Sequence, residues 1–266
     1  MIIESKKFFF KKADVYSDDQ AFERLYRSGR YSSIVAVSYN KISNDFLSPI
    51  NTKNLKIRPK TVTCVDLKLS TDDIIKKFND TAQKHVKRAL KNPDLTFNHA
   101  KNPNDNESYA TYKRFEYSQG RVPISRNEFS SYRLFTASYK REQISGISLV
   151  ESFPNIRTIT IYSKRLNVDD KELYKIIAQS SRALVYKICL WAKEEGFKMF
   201  DLGSINTVDP KKAGITDFKL SFGGEIIPEY TYIYKSNSFI FFERFATIKV
   251  VLKRILFNFK KVLTNR

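Results

Sequence analysis

Alternating apolar and polar residues predict a series of short β-strands along the chain. The clearest are residues 31–39, YSSIVAVSY, and residues 61–69, TVTCVDLKL, which are rich in β-branched residues. Further strand candidates are residues 95–100, 134–140, 141–152, 157–163, 198–203 and 231–235. The three segments between residues 134 and 163 follow one another closely, which predicts an antiparallel meander.

A helix is predicted directly after the strand at residues 61–69. Ser70 or Thr71 is a typical N-cap, because a hydroxyl can accept a hydrogen bond from a free amide of the first turn. Apolar residues then recur at every fourth position, at Ile74, Phe78, Ala82 and Val86. Asn92-Pro93 ends the pattern, so we expect one helix between residue 71 and this point.

Later helices are predicted at residues 108–118, 129–134 and 169–196, the last being the longest. Gly196 is a typical C-terminal cap for that long helix. The alternation of helices with strands predicts an α/β or α+β fold, with a mixed, largely antiparallel sheet flanked by helices.

The C-terminal segment differs from the rest of the chain. Residues 239–266 contain seven Lys and Arg residues but only one acid, Glu243, and their bulky apolar residues fall on one helical face. This pattern is typical of a basic amphipathic helix that binds an anionic membrane surface. A helix packed on its own domain would have the same pattern, and docking to a partner protein is a third interpretation. We expect three regions: an N-terminal strand region at 1–60, a core at 61–235, and this tail at 236–266.

The formal charge of the 266-residue chain is +19. Such an excess favours a polyanionic partner, which could be a nucleic acid, an anionic membrane or a phosphate-rich small molecule. A general bias of the chain toward Lys, Asn and Ile is the alternative explanation. Its 42% hydrophobic residues are enough for a packed core, which excludes a disordered basic protein.

The cysteines and histidines predict neither a disulfide framework nor a metal site. Cys64 and Cys189 are far apart among apolar residues, so we expect two buried free thiols in a reducing compartment. Neither His85 nor His99 has metal-ligand spacing to a cysteine. The first residues lack the apolar core of a signal peptide, and no apolar run is long enough to span a membrane. We therefore expect a cytoplasmic protein.

Residues 191–224 are the segment whose order points to a particular chemistry: WAKEEGFKMFDLGSINTVDPKKAGITDFKLSFGG. Asp201 ends a predicted strand, where it could be a base, a cap or a turn residue. Lys219 lies between the apolar residues Phe218 and Leu220, a pattern that predicts a strand. A lysine that points inward from such a strand needs an anionic partner or a transient negative charge. The glycines match neither a dinucleotide-binding nor a phosphate-binding loop.

This segment resembles the C-terminal motif of acyltransferases with the Gcn-five-related N-acetyltransferase (GNAT) fold. The resemblance is closest to the branch of Fem peptidoglycan-bridge aminoacyl transferases and the related acetyltransferases of cell-envelope polysaccharides. In that branch a long helix ends in Gly, a strand closes with Asp-Leu-Gly or Asp-Phe-Gly, and Gly-Ile precedes Phe-Lys-x-x-Phe-Gly. Residues 65–92 resemble the early strand and helix of the same branch, so the resemblance extends over residues 60–235.

The resemblance implies a sheet that splays between two central strands, where an amine attacks the donor carbonyl without an acyl-enzyme intermediate. It implies that Lys219 stabilises negative charge at that carbonyl and that Phe218 shapes the site. Asp201 is the third candidate catalytic residue on its position in the sequence, although a structural role at the end of its strand is the favoured interpretation. We assign the donor to Ser145, Gly146 and Ile147. The predicted acceptor-binding residues are Arg88, Arg133, Tyr162, Gly214, Phe222 and Gly223. Acceptor phosphates would bind Arg88 and Arg133.

The chain is shorter than the two-lobed Fem enzymes, and it lacks the Gly-rich pyrophosphate loop of ordinary GNAT acetyltransferases. Our first hypothesis is an N-acyltransferase without a metal, which moves acetyl from acetyl-CoA, or another acyl group from its CoA ester, to an amine. The acceptor would be a nucleotide- or lipid-linked amino sugar or peptide precursor of the cell envelope. Aminoacyl-tRNA is the alternative donor. A non-enzymatic nucleic-acid-binding protein and an inactive membrane scaffold are the other hypotheses.

Overall fold

The computed structural model describes residues 1–7, 9–42, 54–101, 103, 105–243 and 245. The chain divides into two compact units, one of Met1–Pro59 with Glu229–Arg266 and one of Lys60–Pro228. The predicted boundaries after residues 60 and 235 stay predictions. Residues 246–266, which contain most of the predicted basic tail, lie outside the described part of the chain; residues 237–243 are helical.

The secondary structure in chain order is mixed. The first elements are β1 (Ile2–Lys7), β2 (Phe10–Tyr16), α1 (Asp19–Arg27), β3 (Ser33–Ser38), β4 (Leu55–Asp66), α2 (Thr71–Lys77), α3 (Asp80–Lys91), β5 (Leu95–Lys101), α4 (Asn106–Ser118) and α5 (Arg126–Ser130). They are followed by β6 (Arg133–Tyr139), β7 (Glu142–Ser152), β8 (Asn155–Ser163), a 3-10 helix (Lys164–Asn167), α6 (Lys171–Glu194), β9 (Met199–Ile205), a second 3-10 turn (Pro210–Lys212), α7 (Ala213–Leu220) and β10 (Glu225–Lys235).

The first unit has the strand order β1-β2-β3-β10. Strands β2 and β3 are parallel, whereas β1 with β2 and β3 with β10 are antiparallel. One face of this sheet and helix α1 bury a core around Phe22, Ile34 and Tyr232. The Tyr232 hydroxyl accepts a hydrogen bond from the Ile42 amide at 2.7 Å, which satisfies the polar end of a buried ring.

The second unit has the strand order β4-β9-β8-β7-β6-β5, and only β8 with β9 is parallel. The main core of this unit contains Leu184, Ile188 and Cys189 of helix α6, together with Val86 of α3. Asp170 caps α6, and Gly196, with φ of +82°, follows its C-terminal end. The expected mixed, largely antiparallel sheet flanked by helices is confirmed, as are both buried free thiols.

Three predicted elements are wrong. The helix expected between residues 71 and 92 is two helices, because Asn79 starts a second one by accepting a hydrogen bond from the Ala82 amide at 2.9 Å. Residues 129–134 are not a helix: α5 ends at Ser130, and β6 begins at Arg133. Residues 218–220 are the end of α7 and not a strand.

Candidate functional site

Two parallel strands, β8 and β9, pair at one end and separate at the other. Their register covers three positions only, Asn155 with Met199, Ile156 with Phe200 and Arg157 with Asp201. Both strands continue beyond this pairing, β8 to Ser163 and β9 to Ile205. A wedge therefore opens between them, and its sides are the unpaired edges of two strands, whose backbone groups can bind an extended ligand.

A buried ion pair closes the narrow end of this wedge. Arg157 Nη1 donates to Asp201 Oδ2 at 2.6 Å, and the Asp201 side chain is fully buried. Asp201 Oδ1 accepts a hydrogen bond from the Gly203 amide at 2.6 Å. Since both carboxylate oxygens are engaged, the geometry favours a positioning role for Asp201 over that of a proton acceptor. Its predicted catalytic role stays a prediction.

Strand β9 is distorted where the wedge opens. Its antiparallel register with β4 shifts between Val62, which faces Ser204, and Cys64, which faces Asp201. Gly203 lies inside this bulge with φ of +85°, a conformation that side chains of L-residues rarely adopt. The bulge turns the backbone of β9 at the point where it leaves β8.

Lys219 reaches this bulge from helix α7. Its Nζ donates to the Ser204 carbonyl at 2.8 Å. A Cβ atom placed on Gly203 would lie 3.1 Å from Lys219 Nζ and 3.9 Å from the Thr158 carbonyl oxygen. The missing side chain at Gly203 thus makes room for the ammonium, which lies at the opening of the wedge, close to both strands.

Helix α7 is anchored to the loop that follows β9. The Thr216 hydroxyl donates to the Asn206 carbonyl at 3.0 Å, and the Asn206 amide donates to the same hydroxyl at 3.1 Å. Phe218 packs edge-on against Phe222, with ring centroids 5.0 Å apart. These contacts fix the direction in which Lys219 leaves the helix.

Phe222 and Gly223, predicted to bind the acceptor, lie in packed surroundings. Phe222 is fully buried between Phe78 and Phe218. A Cβ atom on Gly223, whose φ is +62°, would lie 2.0 Å from the Lys77 carbonyl oxygen at the end of α2. Both residues are accounted for by packing. Gly214, in contrast, is exposed at the start of α7.

The residues assigned to the donor lie in the interior of β7. Ser145 exchanges a hydrogen bond with the Ser180 hydroxyl of α6 at 3.1 Å, and Ile147 belongs to the main core. The Tyr162 ring lies so close to Gly146 that a Cβ atom there would be 2.4 Å from it. Burial raises the pKa of Tyr162, whose hydroxyl accepts from Gln143. Ser145, Gly146 and Ile147 lie on a strand that does not border the wedge, and the Tyr162 side chain is buried against β7. The predicted roles of these residues stay predictions.

The two predicted phosphate-binding arginines have different surroundings. Arg133 donates from Nε to Glu151 at 2.7 Å, and its guanidinium carbon lies 4.4 Å from the centre of the Trp191 ring. It is therefore already compensated by an acid. Arg88 is exposed on α3, on the same face as His85 one turn earlier.

A cavity of about 240 Å³ lies at the far end of β8. It is lined by Thr111, Arg114, Glu142, Ile144, Ser163, Lys164, Val168 and Leu173. Its lining contains charges of both signs, and Lys164 donates to Glu142 at 2.6 Å. Part of the positive charge in the lining of this cavity is therefore already paired with an acid.

Sequence reasoning missed Arg157, Thr158 and the contacts of Arg182. Arg157 precedes its partner Asp201 by 44 residues, so no local pattern could pair them. The Thr158 hydroxyl is buried at the opening of the wedge without a hydrogen-bond partner in the described part of the chain. The Arg182 guanidinium carbon lies 5.4 Å from the centre of the Phe218 ring, which the segment's own letters do not indicate.

Metal-binding clusters and membrane-spanning helices are both absent from the described residues. No group of three or more His, Cys, Asp and Glu side chains among them is arranged to hold a metal ion. Helices long and apolar enough to cross a membrane are likewise not found in this part of the chain.

Solved structures share this architecture. No protein-family model and no curated protein matches the sequence. FemX matches with a TM-score of 0.60 at 12% identity, over 89% of this chain and 84% of FemX. The C-terminal domain of a protein assigned as a lysylphosphatidylglycerol synthetase in Agrobacterium fabrum matches with a TM-score of 0.54 at 14% identity, over 93% and 84%. L-PGS from Bacillus licheniformis matches with a TM-score of 0.50 at 13% identity, over 89% and 81%. The chain therefore has a GNAT/Fem-like fold, the fold that the resemblance of residues 191–224 predicted.

Proposed function

We propose that this chain is an N-acyltransferase that moves an acetyl or similar acyl group from a CoA thioester to an amine of a cell-envelope precursor. The observation that supports this proposal most is the position of Lys219. Its ammonium lies against the Gly203 bulge, at the opening of the wedge between β8 and β9. A cation fixed beside an extended, strand-lined cleft suits a reaction in which negative charge develops on a carbonyl oxygen.

In the proposed reaction the acceptor amine attacks the thioester carbonyl directly. A C–N bond forms, the carbonyl oxygen becomes an oxyanion, and the Lys219 ammonium stabilises that charge. The C–S bond then breaks, and the leaving thiolate takes up the proton that the amine releases. Phe218 supports Lys219 by fixing the last turn of α7 against Phe222.

The open edges of β8 and β9 suit the amide-rich arm of a CoA thioester. Such an arm could hydrogen-bond to the strand backbone beyond Arg157, where the two strands no longer pair. The buried Thr158 hydroxyl would also gain a partner. The Arg157–Asp201 ion pair would keep the strands together at the other end and so define the depth of the cleft.

Aminoacyl-tRNA is the second candidate donor. The Fem-like order of residues 191–224 favours it, and a charge of +19 suits a nucleic acid. The acceptor in either case would be a nucleotide- or lipid-linked amino sugar or peptide. A lipid-linked acceptor agrees with the membrane-binding interpretation of residues 239–266.

A direct assay distinguishes these donors. Purified protein is incubated with acetyl-CoA or with aminoacyl-tRNA, together with a nucleotide-linked amino sugar or muramyl peptide, and the products are identified by mass spectrometry. We expect an acetylated amine that requires protein, acceptor and acetyl-CoA. Amide formation from aminoacyl-tRNA alone would select the second donor. RNA binding without amide formation from any donor would contradict an enzymatic function.

A further inference from the structure

Four basic side chains from three elements lie near one another, and one of them, Arg182, lies beside Phe218. We refer to them as the cationic cluster, and they are His85 and Arg88 of α3, Arg165 of the 3-10 helix after β8, and Arg182 of α6. Arg182 is central, since its Nη1 lies 3.4 Å from His85 Nδ1. Its guanidinium carbon lies 5.4 Å from the centre of the Phe218 ring.

The cationic cluster has no acidic partner in the described part of the chain. Arg88, Arg165 and Arg182 form no ion pair there, whereas the half-buried Arg133 and Arg157 each pair with a carboxylate. Arg182 Nε is buried and has no hydrogen-bond partner among the described residues. The hydrogen bonds of its Nη1 are long, at 3.4 Å to the Ala178 carbonyl and 3.4 Å to His85 Nδ1. A guanidinium placed in this way is incompletely satisfied.

The charges within the cluster oppose one another. Burial lowers the pKa of His85, and the nearby positive charges of Arg182, Arg88 and Arg165 lower it further. Burial, followed by the charge of Arg165, also lowers the pKa of Arg182. Like charges held together without a counter-ion destabilise the free protein, and a bound anion would remove that cost.

The remaining contacts of the cluster hold its members in place. The Arg165 guanidinium stacks on the Tyr174 ring, with its carbon 4.2 Å from the ring centre, and donates to the Tyr174 hydroxyl. Arg165 and Arg88 are exposed, whereas Arg182 and His85 are half-buried. The cluster is therefore open to solvent on one side and packed on the other, as a binding site for a ligand must be.

We propose that the cationic cluster binds the phosphate groups of the acyl donor, and that the donor is the one named in the proposed function, on which this assignment rests. This proposal moves Arg88 from the acceptor site, where the sequence placed it, to the donor site. Planar guanidinium groups bind phosphate oxygens in pairs, and three arginines with a histidine can bind a diphosphate. Phe218 connects the cluster to the acyl-transfer site, because it contacts Arg182 and directly precedes Lys219. The cluster would thus replace the Gly-rich pyrophosphate loop that the sequence lacks.

The first test measures binding of inorganic pyrophosphate by calorimetry at constant ionic strength. We expect Arg182→Gln and Arg165→Gln each to weaken binding roughly 10-fold, the effect of losing one charge-assisted contact. Lys175→Gln is the matched control: it also removes one positive charge, but its partner is Glu172 on an exposed face of α6. Equal affinities for all three variants would overturn the proposal.

The second test uses His85 as a reporter, because the chain has only two histidines. Pyrophosphate should raise the pKa of His85, measured by NMR on histidine-labelled protein, and should not do so in Arg182→Gln. An unchanged His85 titration in the wild type would also overturn the site. Thermal unfolding checks that each variant is folded. If Arg182→Gln does not fold, Arg165→Gln, at an exposed position, takes its place in the test.

The source of the phosphate is tested with CoA and with an RNA hairpin that copies a tRNA acceptor stem. The ligand whose affinity falls in Arg182→Gln but not in Lys175→Gln is the donor that the cluster recognises. Lys219→Met should bind pyrophosphate as the wild type does. Absence of acyl transfer by the wild-type protein, with intact and Arg182-dependent pyrophosphate binding, would overturn the function but not the site. Acyl transfer by the wild-type protein without Arg182-dependent pyrophosphate binding would overturn the site alone.

Discussion

The closed and open ends of the β8–β9 wedge treat charge in opposite ways. At the closed end Arg157 and Asp201 satisfy each other, and Asp201 also accepts from the Gly203 amide. At the open end the Lys219 ammonium donates to the Ser204 carbonyl, and the cationic cluster beyond Phe218 has no acid in the described part of the chain. The closed end has the properties of a structural clamp, and the open end has those of an anion-binding site.

The difference explains how one motif can serve both stability and chemistry. A buried ion pair stabilises a fold most when each of its polar atoms has a hydrogen-bond partner, which suits the fixed, closed end of the wedge. A cation that must stabilise a transient negative charge has to be held in place before that charge appears. Gly203 joins the two ends, because its amide binds Asp201 while its missing side chain makes room for Lys219.

The largest effect on stability is expected at the closed end. Asp201→Asn should lower the free energy of unfolding by about 3–5 kcal/mol, because it leaves the Arg157 guanidinium in a mostly buried site without its counter-charge. Urea denaturation measures this change. Glu172→Gln, which breaks the exposed pair with Lys175, is the control and should change stability by less than about 0.5 kcal/mol. Similar losses of unfolding free energy in both variants would show that the Arg157–Asp201 pair does not clamp the closed end of the wedge.

A smaller effect on stability, with a larger one on activity, is expected at Gly203. Gly203→Ala should cost about 1–3 kcal/mol through backbone strain and should reduce kcat by displacing the Lys219 ammonium. Gly120→Ala isolates the strain, since Gly120 also has a positive φ, +66°, but open space around its Cβ position. Equal kcat values in the two variants would show that the position of the Lys219 ammonium does not affect the reaction.

The sequence predicted the strand that contains Asp201 and the importance of Phe218-Lys219, but not the conformation of that pair. The letters FKLSF alternate like a strand, yet residues 218–222 form the end of α7 and its turn, with Phe218 and Phe222 in contact four residues apart. Similarly, the apolar spacing through Phe78 continues across the break at Asn79. A periodic pattern records which side chains are buried, and two neighbouring helices can bury them as well as one.

The contacts that define the site are long-range, which limits prediction from local patterns. Asp201 meets a residue 44 positions earlier, and Arg182 meets His85 across 97 positions. The sequence did predict the residues of the long helix that contains Arg182. Only the packing of α3 against α6 reveals that the arginine and the histidine share one site.

The smallest effect is expected from His85. Its pKa is lowered in the folded protein, chiefly by burial and then by Arg182, so the unfolded chain binds more protons just below the ordinary value of 6.5. Stability should therefore fall as the pH decreases below about 6.5, and His85→Gln should reduce that fall. Chemical denaturation of both proteins between pH 7.5 and about 5 measures the difference. Identical pH dependence in both proteins would contradict the charge crowding in the cationic cluster.

The most direct test of the acyl-transfer centre is the kcat of Lys219→Met at saturating donor, measured alongside donor affinity and thermal unfolding. Methionine preserves most of the side-chain packing but removes the charge. We predict a fall in kcat of roughly 100- to 1,000-fold, because the interaction with the oxyanion exists only in the transition state. Donor affinity and unfolding temperature should stay close to the wild-type values, since the hydrogen bond to the Ser204 carbonyl that is also lost is exposed to solvent. A kcat within about three-fold of the wild type would contradict the assignment of Lys219 as the group that stabilises the oxyanion.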